Sequence, residues 1–155
     1  MTLSVFTIRQ GQLPDLQTLV DFNQAMALET EGKELDSSIL TAGVTELLKN
    51  PSRGFYLVAT QNDVVAGSLM ITKEWSDWRN KEFWWIQSVY VAEPFRRQGV
   101  YKQLYAAVKE IAETQGNVCG YRLYVEKENT TAQKTYQNLG MHESYYLMYE
   151  EYQNQ

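Results

Sequence analysis

One cysteine, Cys119, and one histidine, His142, are all the chain has of the residues that build disulfide frameworks, structural zinc sites and Cys–His pairs. Such chemistries need more ligands or partners, so the sequence predicts no metal centre and no disulfide. Ser–His–Asp catalysis would rest on His142 alone, and a lone histidine at a strand start is more often structural. Cys119 has no base beside it in sequence and reads as a small core residue. Basic charge is also short. Fourteen Lys and Arg against 19 Asp and Glu leave a net charge of -5, the wrong sign for a nucleic-acid backbone and a better match for a cationic small substrate. No apolar run reaches transmembrane length, and the opening residues lack a basic segment followed by an apolar stretch. The expectation is a cytoplasmic protein with no membrane and no nucleic-acid partner.

Over its 155 residues, 44% are hydrophobic and 21% charged, which suits one globular domain spanning 1–155 with a buried core. Val5 to Ile8 reads as a first strand. Pro14-Asp15 then open a helix with Leu16, Leu19, Val20, Asn23, Met26 and Ala27 on one face. Asp36-Ser37-Ser38 offers caps for a second helix that Asn50-Pro51 stops. Gly54–Thr60 and Val64–Trp75 read as a hairpin across Gln61-Asn62-Asp63. Phe83–Val91, nearly continuous in aromatic and branched residues, reads as the central strand, buried on both faces. A helix with Val100, Leu104, Ala107, Val108 and Ile111 inward stops at Gly116, and Val118–Val125 is another strand. Thr130-Thr131-Ala132-Gln133 has the form of a capping box for a helix to Leu139, and Met141–Tyr149 reads as a closing strand. The order β-α-α-β-β-β-α-β-α-β predicts an α/β (α+β) domain with a mixed, mostly antiparallel sheet.

The segment with most chemistry runs from Val89 through Glu93-Pro94-Phe95-Arg96-Arg97-Gln98-Gly99-Val100-Tyr101-Lys102, where a strand meets a glycine turn at a helix start. Helix N-termini present unpaired N–H groups and partial positive charge, and Gly99 allows close backbone approach. Arg96, Arg97 and Lys102 add full charges beside those donors, so a pyrophosphate would fit. The plainer alternative is that two solvated arginines precede a helix. Neither the phosphate loop of ATPases nor the three-glycine dinucleotide fingerprint is present. Downstream, Asn129 and Tyr136 lie seven residues apart, about two helical turns or roughly 10 Å along one face. Ala132 between them leaves room for an extended ligand whose amides Asn129 could pair. The structural reading makes Asn129 a helix cap and Tyr136 a core aromatic.

Arg96-Arg97-Gln98-Gly99-Val100-Tyr101 resembles the Arg/Gln-x-x-Gly-x-Gly/Ala signature of the GNAT superfamily of N-acetyltransferases, with Tyr101 in place of the small residue. Asn129-Thr130-Thr131-Ala132 through Tyr136 to Gly140-Met141 is similar to the family's Asn-x-x-Ala-x-x-x-Tyr-x-x-x-Gly-[Phe/Met] pattern, with each fixed position filled. The resemblance implies a GNAT-like fold whose central parallel strands splay, with acetyl-CoA between the fourth and fifth strands. Its pantetheine would pair with the backbone at Val89 and Val91 and extend past Asn129 and Ala132. Arg96, Arg97, Gln98, Gly99, Val100 and Lys102 would hold its pyrophosphate. The implied activity is N-acetyl transfer from acetyl-CoA to a primary amine, on a small cationic molecule or a protein, by direct attack in a ternary complex.

A lysine-like amine with a pKa of about 10.4 is mostly protonated at pH 7, a penalty of roughly 4 to 5 kcal/mol, so a base or water relay is needed. The fourth strand reads Trp84-Trp85-Ile86-Gln87-Ser88 and carries no carboxylate there. Glu29 and Glu31, after the first helix, are the expected acceptor-side carboxylates, with Trp85 and Gln87 as further substrate contacts; Glu126 and Glu128 are weaker candidates. Tyr136 is expected to protonate the departing thiolate as general acid. The tryptophans around the third and fourth strands and Tyr145, Tyr146 and Tyr149 read as core, acceptor-stacking or homodimer residues. The other open reading is a non-catalytic acyl-CoA-binding sensor or interaction module on the same fold.

Overall fold

Capping residues and turn glycines divide the chain much as its sequence predicts. In the computed structural model, which describes residues 5–154, β1 (Thr7–Gln10) leads through a 3-10 turn at Leu13–Asp15 into α1 (Leu16–Glu31), followed by α2 (Ser37–Lys49). Asp36 caps α2: its side chain accepts from the Ser38 and Ile39 amides, satisfying two donors that a helix start leaves open. β2 (Gly54–Gln61), β3 (Val64–Ser76) and β4 (Lys81–Val91) form antiparallel ladders, α3 (Val100–Gln115) crosses over, and β5 (Val118–Arg122) returns parallel to β4. α4 (Thr130–Asn138) is the last element. Residues up to Leu123 gather into one compact unit and those from Tyr124 onward into a second.

The sheet runs β1-β2-β3-β4-β5, mixed and mostly antiparallel. Period-two alternation sorts its side chains. Tyr56 and Val58 pack with Leu19, Val20, Val44 and Leu47 of α1 and α2; in register with them across the ladders stand Met70, Gln87 and Tyr90. The other face carries Leu57, Leu69, Ile71, Trp84 and Ile86, all buried. α3 contributes the fully buried Leu104 and Val108 to the core.

Several expectations change, the first strand among them, which runs Thr7–Gln10 and not Val5–Ile8. The strand over Phe83–Val91 is not central: β3 is the middle strand, and of β4 only Trp84 and Ile86 are buried. The reason is that β5, five residues long, pairs only with Glu82–Trp85, so the rest of β4 has a single neighbour. Val118–Val125 shortens to Val118–Arg122, where its pairing with Trp85 ends. The closing strand expected over Met141–Tyr149 is not among the assigned elements: among the described residues no strand follows β5. No helix among the described residues is long and apolar enough to cross a membrane. None of those residues forms a cluster of three or more His, Cys, Asp or Glu that could hold a metal.

Candidate active site

The turn before α3 is built by two left-handed residues. Pro94 sits in a 3-10 turn at Glu93–Phe95, then Arg97 (φ 65°) and Gly99 (φ 78°) swing the chain into the helix. Gly99 is the N-cap and offers no capping side chain; the amide of Gln103 donates to the Gly99 carbonyl at 3.1 Å. The first-turn amides of α3 lie at the positive end of the helix dipole. Arg97 and Lys102 are exposed beside them. The Gln98 amide donates to the Pro94 carbonyl at 3.1 Å and braces the turn, while Val100, 3% exposed, pins the helix start to the core. Tyr101 stacks its ring parallel to Tyr105 one turn on, at 6.0 Å.

Arg96 is engaged elsewhere. Its Nε donates to the Val91 carbonyl at 2.8 Å and its Nη2 to the Glu29 carboxylate at 3.0 and 3.2 Å, with the guanidinium 5.4 Å from the Tyr90 ring centre. One side chain thereby clasps the end of β4 to the end of α1. Glu31 pairs with Lys33 at 3.6 Å.

β4 breaks its own alternation. Ser88 takes a positive φ of 52°, and the register slips so that Gln87 faces Met70 while Tyr90 faces Ser68. This bulge puts Gln87 and Tyr90 on one face although they are three residues apart. Parallel pairing to β5 ends at Trp85 opposite Arg122. From Ile86 to Val91, including Val89, the strand therefore has no β5 partner, and the parallel pair parts.

On the α1–α2 side of the sheet, Gln87 donates to the Thr72 hydroxyl at 2.6 Å, and the Trp85 indole donates to Glu74 at 2.7 Å. Arg122 donates to the same carboxylate at 3.1 and 3.2 Å and lies 3.5 Å from the centre of the Phe83 ring. Thus Trp85 and Gln87 are brought to one face, joined by Glu74, Thr72 and Arg122, which sequence reasoning missed. It looked for a carboxylate within β4, whereas the carboxylate reaches Trp85 from β3, a placement that only the ladder register reveals. A groove of about 730 Å³ between α2 and β3 is lined by Glu46, Arg53, Met70, Thr72 and Lys73 among others. Glu46 is paired to Arg53 at 2.8 Å, which leaves the Lys73 ammonium as the groove's net charge, the wrong sign for a cationic acceptor.

In the C-terminal unit Asn129, not Thr130, is the N-cap of α4, its side-chain oxygen accepting from the Ala132 amide at 3.1 Å. Gln133 donates to the carbonyls of Glu126 and Lys127, each at 3.0 Å, and fixes the loop that precedes the helix. Ala132 and Tyr136 are partly buried, and burial pushes the Tyr136 phenol above its ordinary value. Glu126 and Glu128 are exposed.

The model of the acetyltransferase (GNAT) family matches residues 17–141, both sequence signatures included. The chain belongs to the GNAT acetyltransferase family. A possible acetyltransferase from Clostridium difficile 630 shares 47% identity over 98% of this chain and 100% of its own, with a TM-score of 0.91. Two more distant structures share the GNAT fold: a predicted acetyltransferase with acetyl-CoA from Clostridium acetobutylicum (17% identity, 95% and 96% coverage, TM-score 0.78), and AAC(6')-Iy in complex with a bisubstrate analogue, CoA-S-monomethyl-acetylneamine (22%, 97% and 99%, 0.77). No curated protein matches the chain.

Proposed function

We propose that the whole chain acts as one N-acetyltransferase domain, transferring an acetyl group from acetyl-CoA to the primary amine of a small cationic molecule or a protein by direct attack in a ternary complex. The observation that carries this reading is the start of α3: a helix capped by Gly99, with no capping side chain, flanked by exposed Arg97 and Lys102. Such a terminus is built to receive an anion. The parted stretch of β4 supports the same reading: Arg96 already takes the Val91 carbonyl, and the remaining β4 backbone on that side, Val89 included, has no β5 neighbour and can pair with a ligand amide. Acetyl-CoA supplies an activated thioester.

The chain's own contribution is positioning and proton handling. Val100, Gln98 and the left-handed turn hold the α3 amides for a diphosphate, and Asn129 and Ala132 are assigned to the pantetheine arm. Arg96 contributes by fixing the Val91 carbonyl and Glu29 more directly than by reaching an anion itself. Trp85 and Gln87, locked by Glu74 and Thr72, offer the acceptor a rigid wall; Glu29 and Glu31, held by Arg96 and Lys33 until an acceptor ammonium competes for them, are assigned to its charged end. Tyr136 is the proton donor to the leaving sulfur. Its raised phenol keeps that proton across the neutral range.

The test is twofold. Calorimetry should show CoA binding, and free thiol should appear when acetyl-CoA and an amine panel are added. Tyr136→Phe should keep CoA affinity and lose at least tenfold in turnover. Unchanged turnover removes the acid role; CoA binding with no thiol release on any amine replaces the enzyme by a non-catalytic acyl-CoA-binding module.

A further inference from the structure

The face of the sheet beneath α1 buries two polar side chains that the packing of the core does not call for. Asn23 is 8% exposed and Ser68 3%. Asn23 stands in the core-facing stripe of α1 with Leu19, Val20 and Ala27. Its amide nitrogen donates back to the Leu19 carbonyl at 2.8 Å, which leaves the amide oxygen with no hydrogen bond among the described residues. The Ser68 hydroxyl has none among them either. A polar atom taken out of water and given no partner is a cost to the fold, and calls for an explanation.

The ladders bring the two together. Val58, Ser68 and Tyr90 form one rung across β2, β3 and β4, so their side chains share a face. α1 crosses that rung. Leu19 and Val20 share a core cluster with Val58, while the Phe22 ring centre lies 5.0 Å from that of Tyr90. The turn from Leu19 to Asn23 therefore spans the rung, with Ser68 at its middle. Gln87, on the other side of the Ser88 bulge, shares the face and belongs to the wall assigned to the acceptor.

Both groups are uncharged. A carboxylate would hold an ammonium ion, whereas two neutral acceptors in a buried setting favour the free amine, because desolvation penalises the charged form. A neutral primary amine has two N–H hydrogens to donate and one lone pair with which to attack. The two unpaired oxygens match the two hydrogens.

We propose that Asn23 Oδ1 and Ser68 Oγ bind the reacting nitrogen of the acceptor as a neutral primary amine, each accepting one N–H and leaving the lone pair free. The inference rests on the acetyl-transfer reading and supplies a reason for the amine to leave its proton in bulk water, where β4 offers no carboxylate to take it. A secondary amine has one N–H and would leave one of the two oxygens dry, so the pair also selects primary over secondary amines.

Thiol release is to be measured for the native protein, Asn23→Leu and Ser68→Ala with the best primary amine of a panel and its N-methyl derivative. Each substitution should raise the KM for the primary amine at least tenfold and narrow its advantage over the N-methyl amine at least tenfold, with CoA affinity by calorimetry unchanged. Both variants should unfold in urea no earlier than the native protein, since each replaces an unpaired polar group by an apolar one; lost stability with intact kinetics would make the pair structural and overturn the proposal. Should Asn23→Leu misfold, Ser68→Ala, which removes a single oxygen, carries the test. Native kinetics in both variants overturn the proposal and leave acetyl transfer standing. If the native protein releases no thiol with any amine, acetyl transfer itself fails, and the Asn23 side-chain amide resonances decide the site: they should shift when the CoA-bound protein is titrated with n-butylamine, and unmoved resonances overturn it.

Discussion

Replacing Gly67 by alanine adds one methyl group where β3 passes closest to the end of β4. The new Cβ would stand 2.8 Å from the Tyr90 carbonyl oxygen, 2.9 Å from Val100 Cγ1 and 3.4 Å from Val91 Cα. Comfortable contacts between carbons lie at about 3.5–4.0 Å. Two of these neighbours are backbone, so relief requires moving the end of β4, the start of α3, or both. Overpacking of this kind costs about 1–3 kcal/mol, which for a chain of this size lowers Tm by about 2–12 °C. Gly43 provides the opposite case, being exposed within α2 with nothing inside 4 Å of where an added methyl group would stand; alanine there should stabilise by about 0.5–1 kcal/mol. Urea unfolding followed by tryptophan fluorescence, to which the fully buried Trp84 contributes, measures both. CoA calorimetry on Gly67→Ala measures whether the displaced backbone belongs to the cofactor site, where affinity should fall at least fivefold. Wild-type stability would refute the β3–β4 register; lost stability with unchanged CoA affinity would refute the placement of the cofactor at the end of β4.

Asp15 accepts from both Arg9 terminal nitrogens at 2.8 and 2.9 Å and from the Gln12 amide at 2.8 Å, and the Arg9 hydrogen bonds hold its carboxyl below the usual range. That stability is present above the unfolded carboxyl pKa of about 3.9 and is lost as pH falls through the lower folded value. Asp15→Asn should cost about 1–2 kcal/mol at neutral pH, Arg9 being partly solvated, and should flatten the acid limb of the unfolding curve; an unchanged limb would reject the assignment. Arg96→Ala frees both the Val91 carbonyl and Glu29, so KM should rise for acetyl-CoA and for the amine together while stability shifts by less than about 1 kcal/mol; steady-state kinetics that move one KM alone would break the link. Because burial raises the Tyr136 phenol, turnover should keep rising with pH as the amine deprotonates and show no falling limb until above about pH 10. A falling limb below about pH 9 would assign the acid elsewhere.

The helices were legible because their ends are written in residue chemistry. Asp36, Gly99 and Gly116 terminate elements by capping or by adopting left-handed backbone, and each does so in the structure. The strands were legible as segments but not as neighbours. Nothing in a run of aromatic residues says that β5 will stop at Arg122 and strip half of β4 of its partner. The same gap hid Glu74, which faces Phe83 in the ladder and reaches Trp85 diagonally on the same face. Ser88 was visible as a polar interruption in an apolar strand, but the bulge it marks could be placed only once register was known. Asn129 was read both as a ligand contact and as a cap, and in the structure its side chain forms the cap hydrogen bond.

Arg97 holds a backbone conformation that glycine would adopt without steric penalty, whereas a residue with a Cβ gives up about 1–2 kcal/mol there. Two positions on, Gly99 takes the same hand of turn with no such strain. Swapping Arg97 for glycine would thus make a sturdier protein with one fewer cation at the mouth of α3. A chain that tolerates the weaker option at this spot has surrendered conformational ease in exchange for charge.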